Sequence, residues 1–135
     1  MDLSKALTLS ARGMEVQSAR LRTIAENIAN QDTTASSPNA EPYRRKIISF
    51  ENTLDRTLGA DTVRVRGISQ QPGDLPTRYD PSHPAADAQG YVKTPNVNSF
   101  IEVMDMREAQ SSYSANLNVM EVTRTMLSRT IELLR

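Results

Sequence analysis

Cysteine is absent from this 135-residue chain. That removes disulfides, thiolate catalysis, iron–sulfur ligation and cysteine-type zinc sites together. The single histidine, His83, cannot make a multi-histidine metal centre within one copy. Tryptophan is absent too, and four Tyr with two Phe are the only aromatics. A compact core of this length ordinarily uses more aromatic bulk. Hydrophobic residues make up 38%, so part of the burial is expected to come from partners. An excess of either charge is also missing, because 16 Lys+Arg balance 16 Asp+Glu. No nucleic-acid partner is expected of such a chain. No run approaches the ~20 apolar residues of a bilayer span. The start Met1-Asp2-Leu3-Ser4-Lys5 has no basic segment leading into an apolar one, so no cleaved secretory signal is expected. The default compartment is then the cytosol, unless an export route without a cleaved signal operates.

Proline and glycine are confined rather than absent. All seven prolines lie between Pro38 and Pro95, with four of the five glycines. These residues break regular structure, so the plan reads as an uninterrupted start, a broken middle and an uninterrupted end. In the start, Leu3, Leu7, Ser10, Met14, Gln17, Leu21, Ile24 and Ile28 alternate in steps of four and three, a heptad seam of coiled-coil type. Ser4, Ala11, Ser18 and Ala25 flank it with small side chains, and Gly13 costs the helix ~1 kcal/mol relative to Ala. Both features suit close approach of another helix. In the end, Val103, Met106, Gln110, Tyr113, Leu117, Met120, Arg124, Leu127, Ile131 and Leu134 repeat the pattern. Ser99 with Glu102 fits a capping box; Thr94 followed by Pro95 is an alternative start.

These patterns predict a mainly α fold. Long N- and C-terminal helices, 1–30 and 96–135, would pair as a coiled-coil-like hairpin, with a Pro-rich middle, 31–95, containing short β-strands. Leu3, Leu7, Met14, Leu21, Ile24 and Ile28 would meet Val103, Met106, Tyr113, Leu117, Met120, Leu127, Ile131 and Leu134. A second stripe, Ala115, Val119, Val122, Met126 and Leu133, falls roughly opposite this seam at ~100° per residue. A helix apolar on two sides should be covered on both, so this stripe is expected to pack on other subunits.

In the middle, 43–50 and 63–68 read as strands by β-branched content. Residues 71–95 read as an extended segment held by neighbours or by the coil, rather than forming a separate core. Asp80-Pro81-Ser82-His83-Pro84 brings three hydrolase residue types together, yet triads are defined by geometry rather than adjacency, and flanking prolines mark a turn. Arg44, Arg45 and Lys46, with Arg64 and Arg66, read as the solvated side of a strand pair rather than a nucleic-acid face, with an acidic protein neighbour as the open alternative. Asp55, Asp61, Asp74, Asp80 and Asp87 match no calcium loop, and no glycine-rich phosphate loop exists. Gln17, Gln110 and Arg124 in the apolar seams read as register devices or snorkelling stems, and Met14, Met106, Met120 and Met126 as core or interface filler. No catalytic, cofactor-binding or metal-binding residue is assigned, and no enzyme is expected.

Residues 10–17 and 21–30, with Thr33, are similar to the N-terminal signature of the flagellar axial rod and hook proteins, which carries Asn27-Ile28-Ala29-Asn30 here. Glu26 stands where many relatives have a small polar residue. Asp80-Pro81-Ser82-His83-Pro84, then 86–92 with Gly90 and Tyr91, then Pro95-Asn96-Val97-Asn98 resemble the segment typical of the proximal rod, a more specific likeness. The resemblance implies a non-enzymatic subunit of the proximal rod, part of a hollow axial drive shaft that transmits torque across the periplasm. It implies export through the flagellar type III apparatus without a cleaved signal. Implied partners are other flagellar rod proteins, copies of itself, the rod–ring junction protein and the membrane ring, with no cofactor and no small-molecule substrate. The alternative is a cytosolic helical adapter or chaperone acting as a soluble oligomer. It accounts for the heptads but not for the Pro-rich segment. A small hydrolase built around His83 is a third reading.

Overall fold

A computed structural model describes residues 2–135. In chain order they form α1 (Leu3–Ala29), β1 (Lys46–Asp55), β2 (Ala60–Gln70), β3 (Thr77–Tyr79), β4 (Tyr91–Lys93) and α2 (Ser99–Leu133). The strands make two antiparallel two-stranded sheets, β1–β2 and β3–β4. Helix accounts for 46% and strand for 20%, so the expected mainly α helical hairpin is corrected to a mixed α/β fold.

The strands outgrow their sequence signal for a local reason. Glu51 and Asn52 have little β propensity, but the turn that follows is strongly encoded. Asp55 Oδ1 accepts the N–H groups of Thr57 (2.9 Å) and Leu58 (3.2 Å). Gly59 takes φ 61° and donates its N–H to Asp55 O at 2.8 Å. A turn so closed zips both flanks into strands of ten and eleven residues.

Both helices begin at side-chain caps. Asp2 Oδ1 accepts the Ser4 N–H at 3.0 Å. Asn98 Oδ1 accepts from Phe100 (3.1 Å) and Ile101 (3.4 Å). The cap of α2 is therefore Asn98; Ser99 is already helical and donates instead to Gln31 Oε1.

The chain condenses into two compact units. The first takes in α1 up to Leu21, Ile48–Gly67 and Met106–Arg135; the second is Arg22–Ile47 with Ile68–Asp105. In the first, α1 and α2 touch where a Cβ on Gly13 would lie 2.9 Å from the Asn116 carboxamide. Arg20 also meets Glu108 at 3.2 Å. Val16, Ala109, Ser10 and Thr123 are buried. The β1–β2 hairpin is turned inside out. Glu51, Thr53, Asp55 and Thr62 are the better covered side, with Thr62 Oγ1 donating to Thr53 O, while Phe50 and Leu54 are exposed.

The second unit corrects the expectation of an extended 71–95 segment. Its strands pair Thr77 with Lys93, Arg78 with Val92 and Tyr79 with Tyr91, and Val92 is fully buried. Between them the Asp80 N–H donates to Gly90 O, and Asp87 Oδ1 accepts from the Gln89 and Tyr91 N–H groups, each at 2.9 Å. Gly90, at φ 86°, sits where a Cβ would come within 2.9 Å of the Tyr79 ring. Asp side chains and proline-fixed turns give this segment its own hydrogen-bonded order.

Candidate assembly surface

The Asn-Ile-Ala-Asn signature opens with a buried polar lock inside the second unit. Asn27 is 1% exposed. Its Oδ1 accepts from the Lys46 N–H (2.9 Å) and the Tyr43 hydroxyl (2.8 Å), and its Nδ2 donates to Lys46 O (2.9 Å) and Glu102 Oε2 (3.3 Å). All four hydrogen-bonding positions of the carboxamide are used. Gripping both backbone groups of Lys46, it serves the start of β1 as a one-residue neighbouring strand. Glu102 is fully buried and takes a charge-assisted bond from Arg45 Nε. Arg45 also reaches Gln71 Oε1 (3.2 Å) and Asp105 (3.5 Å), and its N–H donates to Asn96 Oδ1 at 2.7 Å. A fully buried carboxylate persists because its oxygens are paired in this way. Burial pushes the Tyr43 phenol above its ordinary pKa.

The run Arg44-Arg45-Lys46, read as a solvated face, divides three ways. Arg44 pairs with Glu41 (3.0 Å) and donates to Gly73 O (2.9 Å), Arg45 turns inward, and Lys46 pairs with Glu26 (2.8 Å). The Glu26 hydrogen bond holds the Lys46 ammonium above its usual range. Sequence reasoning missed Tyr43, Arg45 and Glu102 as one cluster. The only hint was Glu102 between Ile101 and Val103.

The Asn27–Asn30 run and the motif residues between 80 and 98 lie in this second unit, whereas residues 10–17 and Leu21 of the N-terminal signature fall in the first. Asn30 Nδ2 donates to Glu26 O (2.9 Å) and its Oδ1 accepts from Thr33 (3.1 Å), while Ile28 is half-buried and Ala29 exposed. Asp80, Pro81 and Gly90 form the β3–β4 turn, where Pro81 Cβ would lie 3.1 Å from a Cβ on Gly90. Tyr91 packs edge-on against Tyr79 at 5.4 Å. Pro84 is exposed, Pro95 is buried, and Asn96, Val97 and Asn98 lead into α2.

Asp80, Ser82 and His83 make no catalytic relay. Ser82 Oγ donates to Asp80 (2.8 Å), whereas His83 Nδ1 accepts the Ala85 N–H (3.0 Å) and Nε2 faces Thr34 Oγ1 (3.0 Å). Among the described residues no group of His, Asp and Glu is arranged to hold a metal. No described helix is long and apolar enough to cross a membrane.

The face α2 turns inward is not the one its apolar spacing suggested. Glu102, Ala109 and Thr123 are its buried residues, with Asn116 and Met120 half-covered. Small side chains permit the close approach seen at Gly13, and at 3.6 residues per turn Leu117 points ~100° away from Asn116. Of the expected intrachain seam, Ile24 is buried and Leu3, Leu7, Met14, Leu21 and Ile28 are half-buried on α1. On α2 only Met106 and Met120 are half-buried; Val103, Tyr113, Leu117, Leu127, Ile131 and Leu134 are exposed. The second stripe is uncovered along its length: Ala115, Val119, Val122, Met126 (53%) and Leu133 (87%). Gln17 Oε1, in the α1 seam, is buried without a hydrogen-bond partner among the described residues.

A family model described as "Flagellar basal body rod FlgEFG protein C-terminal" matches residues 88–133. A flagellar basal-body rod protein FlgC from Agrobacterium fabrum is 49% identical, over 98% of this chain and 96% of the relative. Proteins of the same description from Aquifex aeolicus and Salmonella typhimurium are 38% and 34% identical, over 98% of this chain and 97% and 98% of their own lengths. Likeness at that level from end to end is a family relationship: the chain belongs to the FlgC family of flagellar basal-body rod proteins.

Proposed function

We infer that this chain is a structural subunit of the flagellar rod in the periplasmic part of the basal body, and that it works by packing rather than by catalysis. The observation that carries this is α2, which leaves apolar side chains uncovered on two sides from Tyr113 to Leu134. Fully burying a Val, Leu or Met is worth ~1.5–3 kcal/mol, so covering both sides with neighbours supplies a large assembly free energy. The partners are other rod proteins and copies of this chain. In the finer reading the subunit belongs to the proximal rod, forms part of the hollow shaft that transmits torque, and meets the rod–ring junction protein and the membrane ring. It arrives by flagellar export without a cleaved signal and uses no cofactor.

Two aspartate substitutions test this. Met126→Asp places a carboxylate on the uncovered stripe and should leave helicity intact while removing the subunit from purified basal bodies and abolishing swimming. Met120→Asp strikes a half-buried site and should lower both helicity and incorporation. Normal swimming with Met126→Asp would overturn the role given to this surface.

A further inference from the structure

Two apolar surfaces of different shape lie uncovered in the first unit. One is the α2 stripe, where Val122 and Met126 share a shallow groove with Glu121, Thr125 and Arg129. The other is the outward face of the β1–β2 hairpin, with exposed Phe50 and Leu54 on β1 and half-exposed Val63 on β2. Alternation along a strand puts Phe50 and Leu54 on one face, opposite to Glu51 and Thr53. The Glu51–Arg64 ion pair (2.6 Å) and the Thr62–Thr53 hydrogen bond (3.0 Å) place Asp61 across from Leu54 on that outward face. Asp61 has no ion-pair partner among the described residues, and neither has Arg129 beside the stripe. Arg56 at the hairpin tip and Glu121 in the groove are likewise exposed and without an ion-pair partner. Each surface thus carries an apolar centre with one carboxylate and one guanidinium beside it, so each charge on one has a counterpart of opposite sign on the other.

We propose that the outward face of the β1–β2 hairpin receives the α2 stripe of a second copy of this chain, with Asp61 meeting the second copy's Arg129 and Arg56 left for its Glu121. Stripe against stripe would be a two-fold contact that closes on itself and leaves the hairpin bare. Stripe against hairpin is heterologous: every added copy presents one free surface of each kind, so assembly continues. Open growth is what a rod subunit needs, and to that extent the inference rests on the rod reading.

The absence of native cysteine makes introduced thiols unambiguous. In basal bodies built with Leu54→Cys/Met126→Cys as the only copy, mild oxidation should give a ladder of multiples of the 15.0 kDa chain on a non-reducing gel. Either single variant should stay monomeric. A dimer from Met126→Cys alone would mean two-fold pairing and overturn the proposal. Incorporated double variant without a ladder overturns it while leaving the rod reading intact; absence of the unsubstituted chain from basal bodies overturns the rod reading itself. A charge exchange needs no thiol. Asp61→Arg should cut incorporation by about tenfold with unchanged helicity. Asp61→Arg combined with Arg129→Asp should return it to within about twofold of wild type. A double variant as poor as the single one would refute the pairing.

Discussion

Asn27 and Asn30 bracket the same short signature, yet the structure assigns them very different weights. Asn27→Ala deletes four hydrogen bonds, to both backbone groups of Lys46, to Tyr43 and to Glu102. At a net ~1 kcal/mol each the upper figure is ~4 kcal/mol, and water reaching the part-exposed Lys46 and Tyr43 groups lowers the expectation to ~3 kcal/mol. Asn30→Ala deletes two exposed bonds, to Glu26 O and from Thr33, worth together ~1 kcal/mol or less. Asn27→Asp should be worse than Asn27→Ala near neutral pH. It keeps both acceptor roles but loses both donors, and puts a second carboxylate where Nδ2 now lies 3.3 Å from Glu102. Urea unfolding followed by circular dichroism gives the overall shift. Hydrogen exchange at the Lys46 amide, which donates to Asn27 Oδ1, reports the lock itself. If Asn27→Ala and Asn30→Ala agree within ~0.5 kcal/mol, or Lys46 exchange is unchanged, the lock carries no special stability.

Three other outcomes follow from the same geometry. Glu102→Ala strips Arg45 of its buried partner and should cost ~3–5 kcal/mol, whereas Glu102→Gln, which still accepts from Asn27, should cost less; chemical denaturation ranks the two. Gly90→Ala combines φ 86° with a 2.9 Å clash on Tyr79 and should lose ~2–3 kcal/mol, while Gly67→Ala, with nothing within 4 Å, should be near neutral in thermal melts. The folded-state pKa of Tyr43 is raised by burial, so its contribution is whole below the unfolded value of ~10 and is lost as pH climbs through the higher folded value. Tyr43→Phe should therefore flatten the alkaline fall of stability, and an unchanged slope would refute this.

The residues that identify the family were legible because they lie in short contiguous runs. Their cooperation was not. Asn27, Tyr43, Arg45, Asn96 and Glu102 come from separate stretches, and nothing in a one-dimensional pattern says that a carboxamide at 27 will close on the backbone at 46. The β1–β2 hairpin runs beyond its strand signal because Glu51-Asn52 carries little of one, while the turn that zips it depends on one carboxylate reaching two amides. The order of the 71–95 segment is hidden in the linear pattern because its prolines signal only breaks, whereas hydrogen bonds at Asp80 and Asp87 fold the segment on itself.

Composition and periodicity by themselves determined that this chain holds two long helices, lacks thiol and multi-histidine chemistry, and carries more helical apolar surface than one copy can bury. Those properties are local or additive, so a linear reading reaches them. Which face of α2 turns inward was decided only in three dimensions. Gly13 and the small residues near Asn116 admit a closer backbone approach than the bulkier seam through Leu117 and Leu127, and close packing follows shape as well as hydrophobicity. The apolar residues are therefore left outward, available for other subunits, and that orientation is what the assembly reading draws on.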